Sequence, residues 1–402
     1  MKKAAFIAVL LTAHLTLNAA VMNDSVKAEP KDSGFVFTTV KELPVTSVKN
    51  QNRSGTCWAF STISFVESEL IRMGKGEYDL SEMFVVHKTM LDRAVNYVRF
   101  HGEAQFACGG SVYDVMYFIK NYGIVPQEAM PGIMYGDTLP VHTELDAVAG
   151  GYVKALVNSH LKKLTNVWQR GLSGIYDAYL GECPEEFAFN GKQYTPRSFA
   201  DMLGFNPDDY VTITSFTHHP FYTKFALEVP DNWRMDQMYN VPLEEMMAII
   251  DNALDKGYTV AWGADVSETG FTRNGIGVMP DADKGADLTG SDMAHWLKLS
   301  ADDKRKELTS KPLPEMTITQ EKRQEAFDNW ETTDDHGMHI YGIANDQNGK
   351  PYFLVKNSWG TQKSKYKGIW YISRAFVEYK TLDILVHKDA IPKDIRKKLG
   401  IK

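Results

Sequence analysis

Hydrophobic periodicity divides the chain into a helical part and a strand-rich part. Apolar residues over 57–73 recur at helical spacing and stop at a pair of nearby glycines, which predicts an amphipathic helix. From 336 to 388, short apolar runs alternate with turn signals, and Asn348-Gly349 between two such runs predicts a β-hairpin. The same patterns predict further helices over 112–122, 146–180 and 243–254, loops with short strands over 205–235, and a buried strand over 259–266.

The N-terminus matches a secretory signal peptide over residues 1–20. Lys2 and Lys3 precede an apolar run from Ala4 to Leu17, and small residues follow that run. The run is short for a membrane span, and an uncleaved anchor or a buried helix is the alternative. We therefore predict export to the periplasm or the extracellular space, a flexible lead-in over 21–35, and no membrane attachment after cleavage.

Composition and charge narrow the classes of partner. The chain has 402 residues with 44 Lys and Arg against 51 Asp and Glu, a net charge of −7. Because the net charge is negative and the basic residues are spread along the chain, nucleic acid is not expected as a partner. Three cysteines cannot all pair in an exported protein, so at least one thiol needs another explanation.

Cys57 is the cysteine with candidate chemistry. It lies where a turn opens the helix predicted over 57–73, and the N-terminal end of a helix favours the thiolate. A small buried hydrophobic residue is the alternative for a lone cysteine. A thiolate nucleophile needs an imidazole, a group that orients it and donors for the oxyanion; His336, Asn357 and Gln51 are of these chemical types.

A second histidine, His339, competes with His336 for the role of base. Residues three apart on a strand point to opposite faces, so both cannot serve. The spacing alone leaves the choice open, and the histidine that does not act as base is expected to be packed or hydrogen-bonded. The same geometry argues against a metal site built from the two histidines, and no metal is expected.

These motifs resemble those of papain-like cysteine peptidases. Cys57-Trp-Ala-Phe-Ser, an Asp-His pair at 335–336 followed by a small residue, and Asn357-Ser-Trp-Gly occur in the order of that family. The resemblance implies Cys57 as nucleophile, His336 as general acid and base, and Asn357 as the group that orients the imidazole. It also implies Gln51 as oxyanion donor and Trp359 as a shield for the hydrogen bond between histidine and asparagine.

Two departures from ordinary papain indicate one branch of the family. A long insertion separates Cys57 from His336, and Ser54 stands where the usual disulfide partner of the Cys108-Gly-Gly segment would be. Both features resemble the bleomycin hydrolase or aminopeptidase C branch. For the two remaining cysteines, a bond between Cys108 and Cys183 and two buried free thiols are both open.

The resemblance implies an α+β, papain-like fold with a helical N-terminal lobe and an antiparallel, barrel-like C-terminal lobe. The expected divisions are a helical lobe over 36–145, an inserted, mainly helical region over 146–240, and a β-rich lobe with the C-terminal tail over 241–402.

The branch also implies a function and an assembly. Its members are aminopeptidases without a cofactor, act on peptides and form homohexamers. In them the chain's end lies in the cleft, so the carboxylate of Lys402 would pair with the substrate's α-ammonium; a surface helix is the alternative. Gly109 and Gly110 resemble the backbone platform that binds the substrate, although a plain turn is also open. An endopeptidase with an open cleft and a non-catalytic peptide-binding protein are the alternative functions.

Overall fold

The computed structural model describes residues 34–281, 298, 300, 303, 310–362 and 364–402. The predicted signal peptide over 1–20 and nearly all of the lead-in over 21–35 lie outside these residues, so both stay predictions. None of the helices in the described ranges combines the length and apolar character needed to cross a membrane.

Helices dominate the first half of the described chain. Along the whole described chain, the helices are α1 (Cys57–Arg72), α2 (Glu82–Arg99), α3 (Val112–Tyr122), α4 (Thr143–Val157), α5 (Val167–Leu180), α6 (Pro196–Leu203), α7 (Leu243–Asp255), α8 (Gln320–Asp328), α9 (Arg374–Lys380) and α10 (Lys393–Leu399).

Strands dominate the second half. Along the whole described chain, the strands are β1 (Thr38–Glu42), β2 (Phe187–Phe189), β3 (Lys192–Tyr194), β4 (Tyr210–Thr214), β5 (Lys224–Ala226), β6 (Gln237–Asn240), β7 (Val260–Ala264), β8 (Phe271–Thr272), β9 (Ile276–Gly277), β10 (His336–Asn345), β11 (Pro351–Lys356), β12 (Ile369–Ser373) and β13 (Thr381–His387).

Local sequence signals account for the two elements nearest the site. Helix α1 is buried almost all round from Trp58 to Leu70, which explains its nearly continuous apolar and small residues. Helix α3 begins with a capping box between Ser111 and Asp114 and ends at Gly123, whose φ of 82° suits glycine. Both helices agree with the predicted spans to within a residue.

The central strand of the main sheet is β10. Its first half, His336 to Ile340, pairs antiparallel with β7, and its second half pairs with β1. The predicted hairpin at Asn348-Gly349 joins β10 to β11. Two pairs, β4 with β6 and β9 with β12, are parallel. Within the described part of the chain, the order in this sheet is β5-β6-β4-β13-β7-β10-β11-β12-β9-β8.

Two large hydrophobic cores contain most of the buried apolar side chains of the described residues. One core lies among α1 to α6, and the other lies where α7, α9 and α10 cover the sheet. The region over 146–240, expected to be a mainly helical insertion, contains strands as well as helices. Its strand β4 pairs with β13, because the alternating apolar residues of Tyr210–Thr214 complete the C-terminal sheet. Helix α2 has no counterpart in the sequence predictions.

Candidate active site

Cys57 is the first residue of α1. In the described part of the chain, the side chain of the preceding residue, Thr56, accepts no capping hydrogen bond from the first-turn N–H groups. Cys57, Trp58 and Gly110 line one pocket together with His336 and Gly337. The start of the helix therefore presents its thiol to the same space as the imidazole.

The hairpin of β10 and β11 positions His336 and Asn357. His336 opens β10, Asn357 directly follows β11, and the antiparallel register returns the chain to the same end of the sheet. Nε2 of His336 lies 2.9 Å from Oδ1 of Asn357. This bond requires the proton on Nε2, which leaves Nδ1 as the ring's acceptor. The Trp359 ring lies 4.8 Å from the imidazole, centroid to centroid, and covers it.

A glycine lets the nucleophile helix approach the strand that holds the imidazole. A Cβ atom at Gly337 would lie 2.7 Å from Oγ of Ser61 and 3.3 Å from Cα of Trp58. Any larger residue would push α1 away from β10. The small residue after His336 is therefore required by packing.

Gln51 is held by the residue that follows Asn357. Its backbone N–H donates to the carbonyl of Ser358 at 2.8 Å, and its Oε1 accepts from the Ser358 hydroxyl at 2.5 Å. Because the side-chain oxygen is occupied, the Nε2 amide remains as the donor end. Gln51 is buried beside the loop that carries Asn357.

His339 lies in the core, away from this pocket's lining. It is fully buried, and its Nδ1 lies 2.9 Å from Oγ of Ser64 on α1. The structure thus places His336, and not His339, beside Cys57. The expected packed and hydrogen-bonded setting of His339 is what the structure has.

Burial favours the neutral forms of both reacting groups when no substrate is present. Desolvation lowers the pKa of His336 to about 4, against a smaller opposing effect of the bond to Asn357. Desolvation, together with smaller contributions from the charges of Asp231 and Asp334, raises the pKa of Cys57 to about 12. A hydrogen bond from the Gly337 backbone opposes this rise. The acidic residues Asp231 and Asp334 near the thiol therefore disfavour the thiolate.

Four aspartates line the pocket, and the sequence predictions gave none of them a role, although Asp335 belongs to the Asp-His pair of the family motif. They are Asp231, Asp334, Asp335 and Asp383. Asp383 interrupts the buried apolar run of β13, and a lone acidic residue in such a strand is a signal that could have been found. Asp231 carries no comparable local signal, because its position depends on a long loop.

The remaining predicted substrate residues are placed differently. Gly110 packs on the Trp58 ring and lines the pocket, whereas at Gly109 a Cβ atom would lie 2.1 Å from a carboxylate oxygen of Asp231. Lys402 lines a separate cavity with Tyr239, so the structure does not bring it to the pocket of Cys57.

The remaining cysteines, and the histidines His218 and His219, are not among the residues that line this pocket. All three cysteines are free, so neither Cys108 nor Cys183 is in a disulfide. In the described residues, one set could offer three metal ligands, namely His218, His219 and Glu228. Each imidazole Nε2 lies 3.0 Å from a Glu228 oxygen, a hydrogen-bonded arrangement that needs no ion.

Three comparisons relate the chain to known proteins. The sequence profile of the Peptidase C1-like family matches residues 4–283 and 310–401. Aminopeptidase E of Lactobacillus helveticus is 26% identical over 92% of this chain and 86% of its own length. Aminopeptidase G of Lactobacillus delbrueckii subsp. lactis is 25% identical over 89% and 84%, respectively.

A solved structure supports the same relationship at the level of fold. The crystal structure of pepw from Lactobacillus rhamnosis HN001 has a TM-score of 0.66 at 19% identity, over 90% of this chain and 84% of that one. These findings confirm the expected α+β fold class and the expected family resemblance.

Proposed function

The chain belongs to the Peptidase C1-like family and is a cysteine peptidase, and on that premise we propose that it is an aminopeptidase. It would remove residues one at a time from the free N-terminus of peptides. The observation that carries the proposal is the pocket in which Cys57 meets His336, itself hydrogen-bonded to Asn357. The similarity to named aminopeptidases over most of both chains supports the exopeptidase part.

The mechanism proceeds through an acyl-enzyme. Nδ1 of His336 accepts the Cys57 proton as sulfur attacks the peptide carbonyl. The amide of Gln51 and the backbone N–H of Cys57 donate to the oxyanion. The imidazolium then protonates the leaving amine, and water, deprotonated by the same ring, releases the N-terminal residue. Asn357 keeps Nδ1 directed at the sulfur throughout.

Two matched substrates test the proposal. Alanyl p-nitroanilide offers a free α-amine, and N-acetylalanyl p-nitroanilide differs only in lacking that charge. We expect hydrolysis of the first, little of the second, and loss of activity in Cys57→Ala. Cys183→Ala is the control, because its thiol lies outside the pocket lining. Equal hydrolysis of both substrates would identify an endopeptidase, and activity retained in Cys57→Ala would exclude the mechanism.

Export and assembly are further proposals that rest on the signal-like N-terminus and on family resemblance. We propose that residues 1–20 are removed on export and that the mature chain forms a homohexamer. N-terminal sequencing of the mature protein tests the first statement. Native mass measurement tests the second, and a monomeric mass at working concentration would contradict it.

A further inference from the structure

We propose that Asp231, Asp334 and Asp383 form the site that binds the free α-ammonium group of the substrate. This inference rests on the proposed aminopeptidase function and assigns to side chains the role expected for the C-terminal carboxylate of Lys402. The three carboxylates line the pocket that contains Cys57 and His336.

Sheet register explains how Asp383 reaches the pocket. On β7, Gly263 pairs with Gly337 of β10 on one side and with Asp383 of β13 on the other. Directly paired residues present their side chains on the same face of a sheet. Asp383 therefore points to the face on which Gly337 meets α1, two strands away from the catalytic strand.

Asp383 is a buried carboxylate, and one of its two oxygens has no hydrogen-bond partner among the described residues. It is 7% exposed, and its Oδ1 makes no hydrogen bond within the described ranges 34–281, 310–362 and 364–402. A Cβ atom at Gly263 would lie 2.8 Å from this oxygen, so the glycine provides the space that the carboxylate occupies. An unpaired buried carboxylate is costly to the fold, and a cationic ligand would supply the missing partner.

Asp231 is fixed at the end of the substrate platform. Its carboxylate packs directly on Gly109, and Nη2 of Arg93 lies 3.6 Å from Oδ1. The same guanidinium is also hydrogen-bonded to the carbonyls of Gly109 and Pro230. The platform and the acidic side chain are thus joined through one buried arginine.

The loop that carries Asp231 is anchored to the two helices α2 and α3. Nε1 of Trp233 donates to Asp114 at 3.0 Å, and Arg234 forms ion pairs with Asp92 and Asp114, each at 3.3 Å. The Arg234 guanidinium also lies 3.8 Å from the Tyr117 ring centroid. A loop held this firmly presents Asp231 in a preorganised position, which lowers the cost of binding.

The charge balance of the pocket calls for a cation. Asp335 already accepts bonds from a backbone N–H at 2.9 Å and a serine hydroxyl at 2.5 Å. Among the described residues that line the pocket, the one basic side chain is the imidazole of His336, whose neutral form is favoured by burial, and Arg93, behind Asp231, is a neighbouring positive group. An ammonium group carries the opposite charge and three donors, which suits several carboxylate oxygens at once.

Binding of the cation would also act on the nucleophile. The charges of Asp231 and Asp334 contribute to the raised pKa of the Cys57 thiol. An ammonium group between them would offset that effect, so the thiolate forms more readily when substrate is bound. Recognition of the free N-terminus and activation of the thiol are coupled in this way.

The α-ammonium fits this position better than a lysine or arginine side chain further along a blocked peptide. The Asp231 carboxylate packs on Gly109, next to Gly110, so a substrate backbone lying against Gly110 would bring its N-terminal end close to this carboxylate. Both kinds of cation share the same chemistry, so the experiment must separate them.

The test compares Asp231→Asn and Asp383→Asn with the control Asp236→Asn, which changes an aspartate outside the pocket lining. For alanyl p-nitroanilide we expect KM to rise about ten-fold or more in each test variant, since a charge-assisted bond is lost. The control keeps the wild-type KM. Asp334→Asn is a second variant in case Asp383→Asn fails to fold, and iodoacetamide labelling of Cys57 reports an intact site.

Unchanged KM values in an active aminopeptidase would overturn this inference and leave the proposed function standing. Absence of free-amine hydrolysis in the wild-type enzyme would instead refute the proposed function. A second substrate pair, the p-nitroanilides of acetyl-lysyl-alanine and acetyl-alanyl-alanine, tests whether a basic side chain is the cation that binds. A preference for lysine that disappears in Asp231→Asn would assign the pocket to a basic side chain and refute the α-ammonium site.

Discussion

The buried carboxylate of Asp383 predicts a stability that depends on pH. Desolvation raises its pKa from an ordinary 3.8 to about 7 in the folded protein. Between these values the folded state holds a proton that the unfolded state has released, so stability falls as pH rises through this range. The change Asp383→Asn removes the titration and should remove this part of the fall.

The size of the effect follows from the two pKa values. The full penalty on the charged carboxyl is about 4 kcal/mol at pH 8 and above, and at pH 5 about 1.7 kcal/mol of it applies. Asp383→Asn should therefore raise the free energy of unfolding above that of wild type by about 2.5 kcal/mol more at pH 8 than at pH 5. Any fixed difference between asparagine and a protonated aspartate cancels in this comparison.

Thermal unfolding at both pH values measures the effect. For a chain of this size the gain corresponds to about 3 °C in Tm between the two conditions. The exposed Asp137 provides a control, because its carboxylate is hydrated in both states and Asp137→Asn should run parallel to wild type. Parallel curves for Asp383→Asn would refute the argument that this carboxyl is buried at a cost. A stabler variant with weaker substrate binding is the expected trade between stability and function.

Three further predictions concern the catalytic geometry, each measured as kcat on alanyl p-nitroanilide. Gln51→Ala should lower kcat about 100-fold with KM little changed, because an oxyanion donor acts in the transition state; an unchanged kcat would remove Gln51 from the mechanism. Asn357→Ala breaks the 2.9 Å bond to His336 and should lower kcat by up to about 100-fold through misorientation. Gly337→Ala should cost about ten-fold or more, because its methyl displaces α1. Gly150→Ala, whose methyl meets nothing within 4 Å, is the control and should keep full activity.

Local patterns predicted the elements that carry the reacting groups. The spans of α1 and α3 follow from apolar periodicity and glycine stops, and the β10–β11 hairpin follows from Asn348-Gly349 between two apolar runs. Motif order then predicted which residues should meet. The structure brings Cys57 and His336 to one pocket through the packing of α1 on β10 at Gly337, a long-range contact between two elements that local signals predict.

The acidic half of the pocket was not predictable in this way. Asp231 and Asp383 are far apart in sequence, and they meet at the site because β13 pairs with β7 and because a long loop is anchored on α2 and α3. Similarly, the end of the chain is placed by packing. Ile395 and Leu399 of α10 are buried against the second core, which carries Lys402 to a separate cavity.

The sequence by itself therefore determined the family, the fold class and the candidate nucleophile, base and orienting residue, because these depend on short motifs and on periodicity within single elements. Tertiary structure alone decided which charges surround them. Strand pairing and loop anchoring are long-range interactions, and they set a group of carboxylates, rather than the terminal carboxylate, beside the thiol.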